Sequence, residues 1–120
     1  MIQIDHVLTD RGSRYAVTMA PAETRKAAEA VVAKVRRKKK YARATHNTWG
    51  VILPGGEMVK NDDGEAGAGM VILRMLERAS LQGQIVIVTR WYGGTQLGGD
   101  RFRHVKTCVR AALDAGTSSG

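Results

Sequence analysis

IVIVTRWYGGTQLGGDRFRHVKTC, residues 85–108, decides how this chain reads. Ile85, Val86, Ile87 and Val88 form an unbroken β-branched run, the mark of a strand that is central or covered on both faces. A glycine-rich loop follows from Arg90 to Gly99. A helix then begins near Asp100 and runs to about Leu113, with Phe102, Val105, Val109 and Ala112 recurring on one face. Strand, glycine-rich loop and helix in that order place backbone N–H groups where an anion can meet them. The stretch is not a P-loop. Gly94 and Gly99 have the right spacing, but Asp100 stands where that motif needs lysine. Asp100 reads instead as the N-cap of the last helix.

Working outward, the elements upstream alternate between the two periodicities. Ile2 and Ile4 alternate with polar residues, and Tyr15, Val17 and Met19 do so more clearly, so two strands are expected there. Pro21 punctuates. Ala22 to Lys39 reads as a helix with Ala28, Val31, Val32 and Val35 on one side. The basic run Arg36 to Lys40 suits the negative end of its dipole. Trp49, Val51 and Leu53 mark another strand, and Pro54-Gly55-Gly56 turns it into a hairpin arm near Glu57 to Lys60. A helix from about Ala66 to Ala79 follows. The expected architecture is α+β: a two-layer sandwich with a mixed or antiparallel sheet of four or five strands and helices on one face.

The whole chain has 120 residues, which fits a single domain over 1–115 with a disordered tail at 116–120. Hydrophobic residues make up 43%, too many for a disordered chain. The single cysteine, Cys108, forms no internal disulfide and reads as a packed helix residue. The N-terminus lacks a basic n-region, and no stretch approaches the ~20 apolar residues of a spanning helix. The expectation is a cytoplasmic protein with no membrane association. Nineteen Lys and Arg against eleven Asp and Glu give a net charge of +8, which favours polyanionic partners such as RNA or a ribosome.

Three further groups of residues carry candidate chemistry. NDDGEAGAG, residues 61–69, crowds Asp62, Asp63 and Glu65 around Gly64. It reads as a helix cap, since carboxylates suit a helix N-terminus. It lacks the alternating acids of a calcium loop, and no metal or cofactor is expected. ATHNTW, residues 44–49, puts His46 and Asn47 at a strand start. Arg103, Lys106 and Arg110 form a basic stripe on the last helix, a solvated face or a phosphate track. No catalytic nucleophile is visible. A base and acids are present, so a hydrolase or other enzyme on a phosphorylated or peptide substrate, using His46 with Asp62, Asp63 and Glu65, stays open.

THN, then DDGE with small residues, then RWYGG…LGGDRF…H…C together resemble the Impact family, which includes YigZ-like members. The resemblance runs from about Arg11 to Leu113 and is nearer the eukaryotic Impact branch. It implies a fold similar to domain IV of elongation factor G. It also implies a translation-linked, non-catalytic regulatory role tied to the stress response, through RNA, the ribosome or a protein partner in translation control. The extra N- or C-terminal domains of other members have no counterpart expected here, so roles that depend on those domains do not carry over. The signature residues that do carry over are His46, Asn47, Asp62, Asp63, Gly64, Glu65, Arg90, Trp91, Tyr92, Gly93, Gly94, Asp100 and Arg101. Both loops lead into helices. An acid of the first is therefore expected to pair with Arg90 or Arg101, with Trp91 and Tyr92 forming an aromatic surface.

Overall fold

Residues Ser13–Pro21 (β2) and Gln84–Trp91 (β5) pair antiparallel along their whole length, from Arg14↔Trp91 to Pro21↔Gln84. They are the middle of the fold. The computed structural model describes residues 1–118. β1 (Ile2–Asp10) lies outside β2. β3 (His46–Ile52) lies on the other side of β5, with β4 (Met58–Asn61) beyond it. The sheet order is β1-β2-β5-β3-β4, and every pairing is antiparallel. The β1–β2 hairpin closes through Arg11 and Gly12, both with positive φ (47° and 85°). Two such residues make the tight turn whose twist matches a hairpin.

Alternation along the central strands sends side chains to two cores. Tyr15, Val17, Met19, Val86 and Val88 face one way and pack with Ile72, Leu76, Val105, Cys108 and Val109. Those partners come from α3 (Ala68–Arg78) and α4 (Asp100–Ser118). Ala16, Ala20, Ile85 and Ile87 face the other way, toward Ala28 and Val35 of α1 (Arg25–Arg36) and Tyr41 of α2 (Lys39–Ala42). The α+β sandwich is therefore as expected around α3 and α4, but the helices are not confined to one face. The unbroken apolar run in β5 needs cover on both sides, and α1 supplies the second layer.

Three element ends differ from the sequence reading. The Thr24 hydroxyl caps α1 by accepting from the Ala27 amide at 3.0 Å, so the helix starts after Ala22. It stops at Arg36, and a separate turn carries Tyr41 into the core. Last, α4 runs on to Ser118, through the first residues of the expected tail; 119 and 120 lie outside the described residues.

Candidate functional site

Period-two alternation also decides what the signature residues can do. His46 pairs in register with Arg90, and Asn47 with Thr89. His46 and Arg90 fall on the α3/α4 face. Asn47 and Trp91 fall on the α1 face.

On the first of these faces, Glu65 is the organising residue. It is only 3% exposed. Arg90 Nη1 donates to both its oxygens, at 3.0 and 3.3 Å, and Arg101 Nη1 donates to Oε1 at 3.3 Å. The loop pairing expected from sequence is thus made by Glu65, with both arginines. Arg90 Nε and Nη2 are satisfied by the Ser13 hydroxyl at 3.4 and 3.3 Å. His46 Nε2 stands 3.9 Å from Glu65 Oε2. Its Nδ1 lies 2.9 Å from the Asp63 carbonyl oxygen. A carbonyl only accepts, so Nδ1 carries the proton and donates. Gly64 makes this approach possible: it has φ 85°, and a Cβ there would stand 3.1 Å from His46 Nδ1.

His46, Gly64, Glu65, Arg90 and Arg101 line a half-open cavity of about 430 Å³ together with Tyr92, Gln96, Leu97, Gly98, Gly99 and Phe102. Arg101 lies over the Phe102 ring at 4.6 Å, and Arg90 over Tyr92 at 5.7 Å. Behind the wall is Tyr15, whose hydroxyl burial pushes up to about 12.

The other two acids of the loop work elsewhere. Asp62 accepts from the Gly67 and Gly69 amides at 3.0 and 2.9 Å, which caps α3 as expected. Burial acts to raise its carboxyl, but these amides and Lys60 outweigh it and hold the group below the ordinary value of 3.8. Asp63 accepts from the Asn47 amide at 2.7 Å and from Arg36 at 3.0 Å.

Several residues expected to meet a partner are spent on the fold. Asn47 is 2% exposed; its amide nitrogen donates to the Tyr41 carbonyl and its oxygen accepts from Thr89. Trp91 does not join Tyr92 in one aromatic surface. Its indole donates to the Lys40 carbonyl at 2.9 Å, its ring meets Tyr41 edge-on, and Arg14 and Lys40 each lie 5.5 Å from it. Consecutive strand residues point to opposite faces, so the WY pair is split. Gly93 is wedged against the β1–β2 turn, where a Cβ would come within 2.0 Å of the Gly12 carbonyl carbon. Gly94, with φ 95°, has open space around it. Asp100 is the first residue of α4 and not its N-cap. Its carboxylate goes to Arg11 at 2.6 Å and Arg103 at 3.5 Å, while the first amides of α4 bond back to Leu97, Gly98 and Gly99 carbonyls.

Residues 11–113 match the family model of the Impact N-terminal domain. The chain belongs to that family. Protein IMPACT of Bos taurus is 38% identical over 117 residues, covering 92% of this chain and 37% of that protein. The chain thus spans little more than a third of the length of this relative. A crystal structure of a hypothetical protein superposes with a TM-score of 0.79 at 26% identity, over 93% of this chain and 57% of that one. The structure of the two-domain translational regulator Yih1 gives 0.57 at 30% identity, over 90% and 44%.

This Impact domain has a second concave region that the sequence indicated only in part. Lys106 and Arg110 of α4 border a groove of about 450 Å³ between α3 and α4. Arg78 from α3 joins them there, above a floor that includes Met75, Ala79 and Leu113. None of the three forms an ion pair among the described residues, whereas Arg103 is engaged with Asp100. The contribution of α3 was missed because no spacing in the sequence links Arg78 to Lys106 and Arg110. Among the described residues no three His, Cys, Asp or Glu side chains group closely enough for a metal. No described helix is long and apolar enough to cross a membrane.

Proposed function

We propose that residues 1–115 act as one Impact-type, non-catalytic binding module in cytoplasmic translational control and its stress response, contacting RNA or the ribosome through the α3–α4 groove. The observation that carries this reading is the Arg78, Lys106 and Arg110 cluster, three cations that line one groove and form no ion pair among the described residues. A net charge of +8 adds long-range attraction to the same kind of partner. The name of the Yih1 relative, a translational regulator, supports the setting. Phosphate contact is the natural use of unpaired cations spaced along a groove, because each contact releases condensed counterions.

The test is co-sedimentation with ribosomes across a salt series, wild type beside the Arg78→Ala/Lys106→Ala/Arg110→Ala variant. Co-pelleting at physiological salt that falls in the variant is expected. The salt slope should also drop, by roughly 0.7 per lost contact if the partner is single-stranded. Protein that stays in the supernatant at every salt overturns the reading. Pelleting that ignores both salt and the variant assigns the role to a protein partner in translation control.

A second reading has one specific observation behind it. His46 and Glu65 are 3.9 Å apart at the wall of a cavity, so the base and acid required for an enzyme on a phosphorylated or peptide substrate are adjacent. Asp62 and Asp63 are committed elsewhere, which reduces that set to His46 and Glu65.

A further inference from the structure

We infer that the cavity beside Glu65 is a binding site for a terminal phosphate monoester, separate from the α3–α4 groove. Four observations converge on it.

The first is charge. The wall carries two guanidiniums, Arg90 and Arg101, against one carboxylate, Glu65. One positive charge is left over inside a concave site with a buried floor, where a counter-charge is worth more than it would be in water.

The second is donor supply. Arg90 is nearly used up by Glu65 and Ser13, which fixes it in place. Arg101 is not. It spends only Nη1 on Glu65, and no other hydrogen bond is made by its fork among the described residues. A planar fork with several open N–H groups, anchored at one corner, suits a phosphate oxygen pair. Gly98 and Gly99 also line the cavity, and their amides have no acceptor among the described residues.

The third is His46. Its Nδ1 is held by the Asp63 carbonyl, so a proton taken up at Nε2 would be offered on the cavity side, next to Glu65. The ring can therefore meet a neutral group as an acceptor or an anion as a second donor.

The fourth is size. About 430 Å³ is more than inorganic phosphate fills, and Tyr92, Leu97 and Phe102 line the cavity beside the arginines. A phosphate on the guanidiniums with an organic group against these side chains would use more of that space than phosphate alone. The acid nearest this loop, Asp100, does not line the cavity and is neutralised by Arg11 and Arg103.

The phosphate could arrive on a free nucleotide or at the 5′ end of an RNA. The experiment separates the two. Amide shifts of the labelled protein are followed by NMR during titration with adenosine monophosphate, with a 5′-phosphorylated RNA hexamer, and with its 5′-hydroxyl counterpart. Sodium chloride at matched ionic strength is the control. Saturable shifts at Gly64, Gly98 and Gly99 are expected with a phosphorylated probe. Arg101→Ala should weaken them at least about tenfold, the scale of one lost charge-assisted contact. Glu65 keeps both its bonds from Arg90 in Arg101→Ala, so this variant keeps the fold, and Arg101→Lys should recover only part of the loss. Lys106→Ala/Arg110→Ala should leave the shifts unchanged, which separates this site from the groove. A clear preference of the hexamer pair for the 5′-phosphate, with adenosine monophosphate weak, assigns an RNA end. Equal or tighter binding of adenosine monophosphate assigns a free nucleotide. Shifts reproduced by chloride, or unaltered in Arg101→Ala, overturn the inference.

Discussion

The two loops that flank the cavity are built on opposite principles. In the acidic loop, 61–69, every carboxylate has a partner: Asp62 caps α3, Asp63 holds Asn47 and Arg36, and Glu65 holds two arginines. In the glycine-rich loop the fixed points come early, where the Tyr92 amide donates to the Thr45 hydroxyl and Gly93 packs on Gly12. From Gly94 to Gly99 only Leu97 is buried. The acidic loop is a brace and the glycine-rich loop is a rim. The acids of the first loop are consumed internally, and the charge left over beside the cavity is cationic.

Three comparisons would break or sharpen that contrast. The largest effect is expected at the brace. Glu65→Ala strands Arg90, whose side chain is 6% exposed, and should cost about 3–5 kcal/mol in urea unfolding. Gln96→Ala on the rim should stay within about 0.5 kcal/mol. Equal costs for the two would erase the distinction. Next comes the one tight point of the rim. Gly93→Ala drives a methyl into the Gly12 backbone and should lose about 3 kcal/mol, the upper end for overpacking. Its neighbour Gly94→Ala meets nothing and loses only about 1 kcal/mol for its left-handed backbone. If thermal unfolding ranks them the other way, the rim is anchored elsewhere.

The smallest of the three differences is expected between wild type and Asp62→Asn. Asp62→Asn keeps one acceptor oxygen but removes the charge and the second acceptor, and should cost about 1 kcal/mol at neutral pH. The Asp62 carboxyl is depressed in the fold, so the stability it adds is present above the ordinary value of 3.8. That contribution fades as pH falls through the native value. The gap between wild type and Asp62→Asn should therefore close in acid. A gap that widens would mean Asp62 is not held as an anion by the Gly67 and Gly69 amides.

Much of this was legible in the sequence, because both periodicities were strong. The β-branched run of β5, the alternation of β2 and the last helix follow from patterns that local geometry enforces. A pairing of the acidic loop with Arg90 or Arg101 was legible too, but not that Glu65 is the acid that makes it. What escaped was whatever depended on direction. Asn47 and Trp91 look like surface residues when read as motif letters. Counting along the strands puts both on the face opposite His46 and Arg90. The helix α1 was visible, but the face it would cover was not, because an antiparallel sheet with two apolar sides does not say which helix takes which side. A carboxylate cap on α3 was expected, but no fixed spacing rule says which acid supplies it, and Asp62 does so by reaching across the turn at Gly64. Asp100 has the right residue type for a cap, yet Arg11, some 89 residues away in the chain, draws its carboxylate aside.

One buried atom gives this protein a built-in clock. Cys108 is the chain's sole cysteine, fully enclosed where α4 meets the sheet, with its thiol pushed up to about 12 by burial. A thiol in that state is inert to an alkylating reagent until the helix lifts away. The rate at which it labels therefore times the opening of α4, the helix that carries Arg101 on one side and Lys106 and Arg110 on another. Ligands that close the cavity or the groove should each slow that clock, and a single added mass on the intact chain would read it.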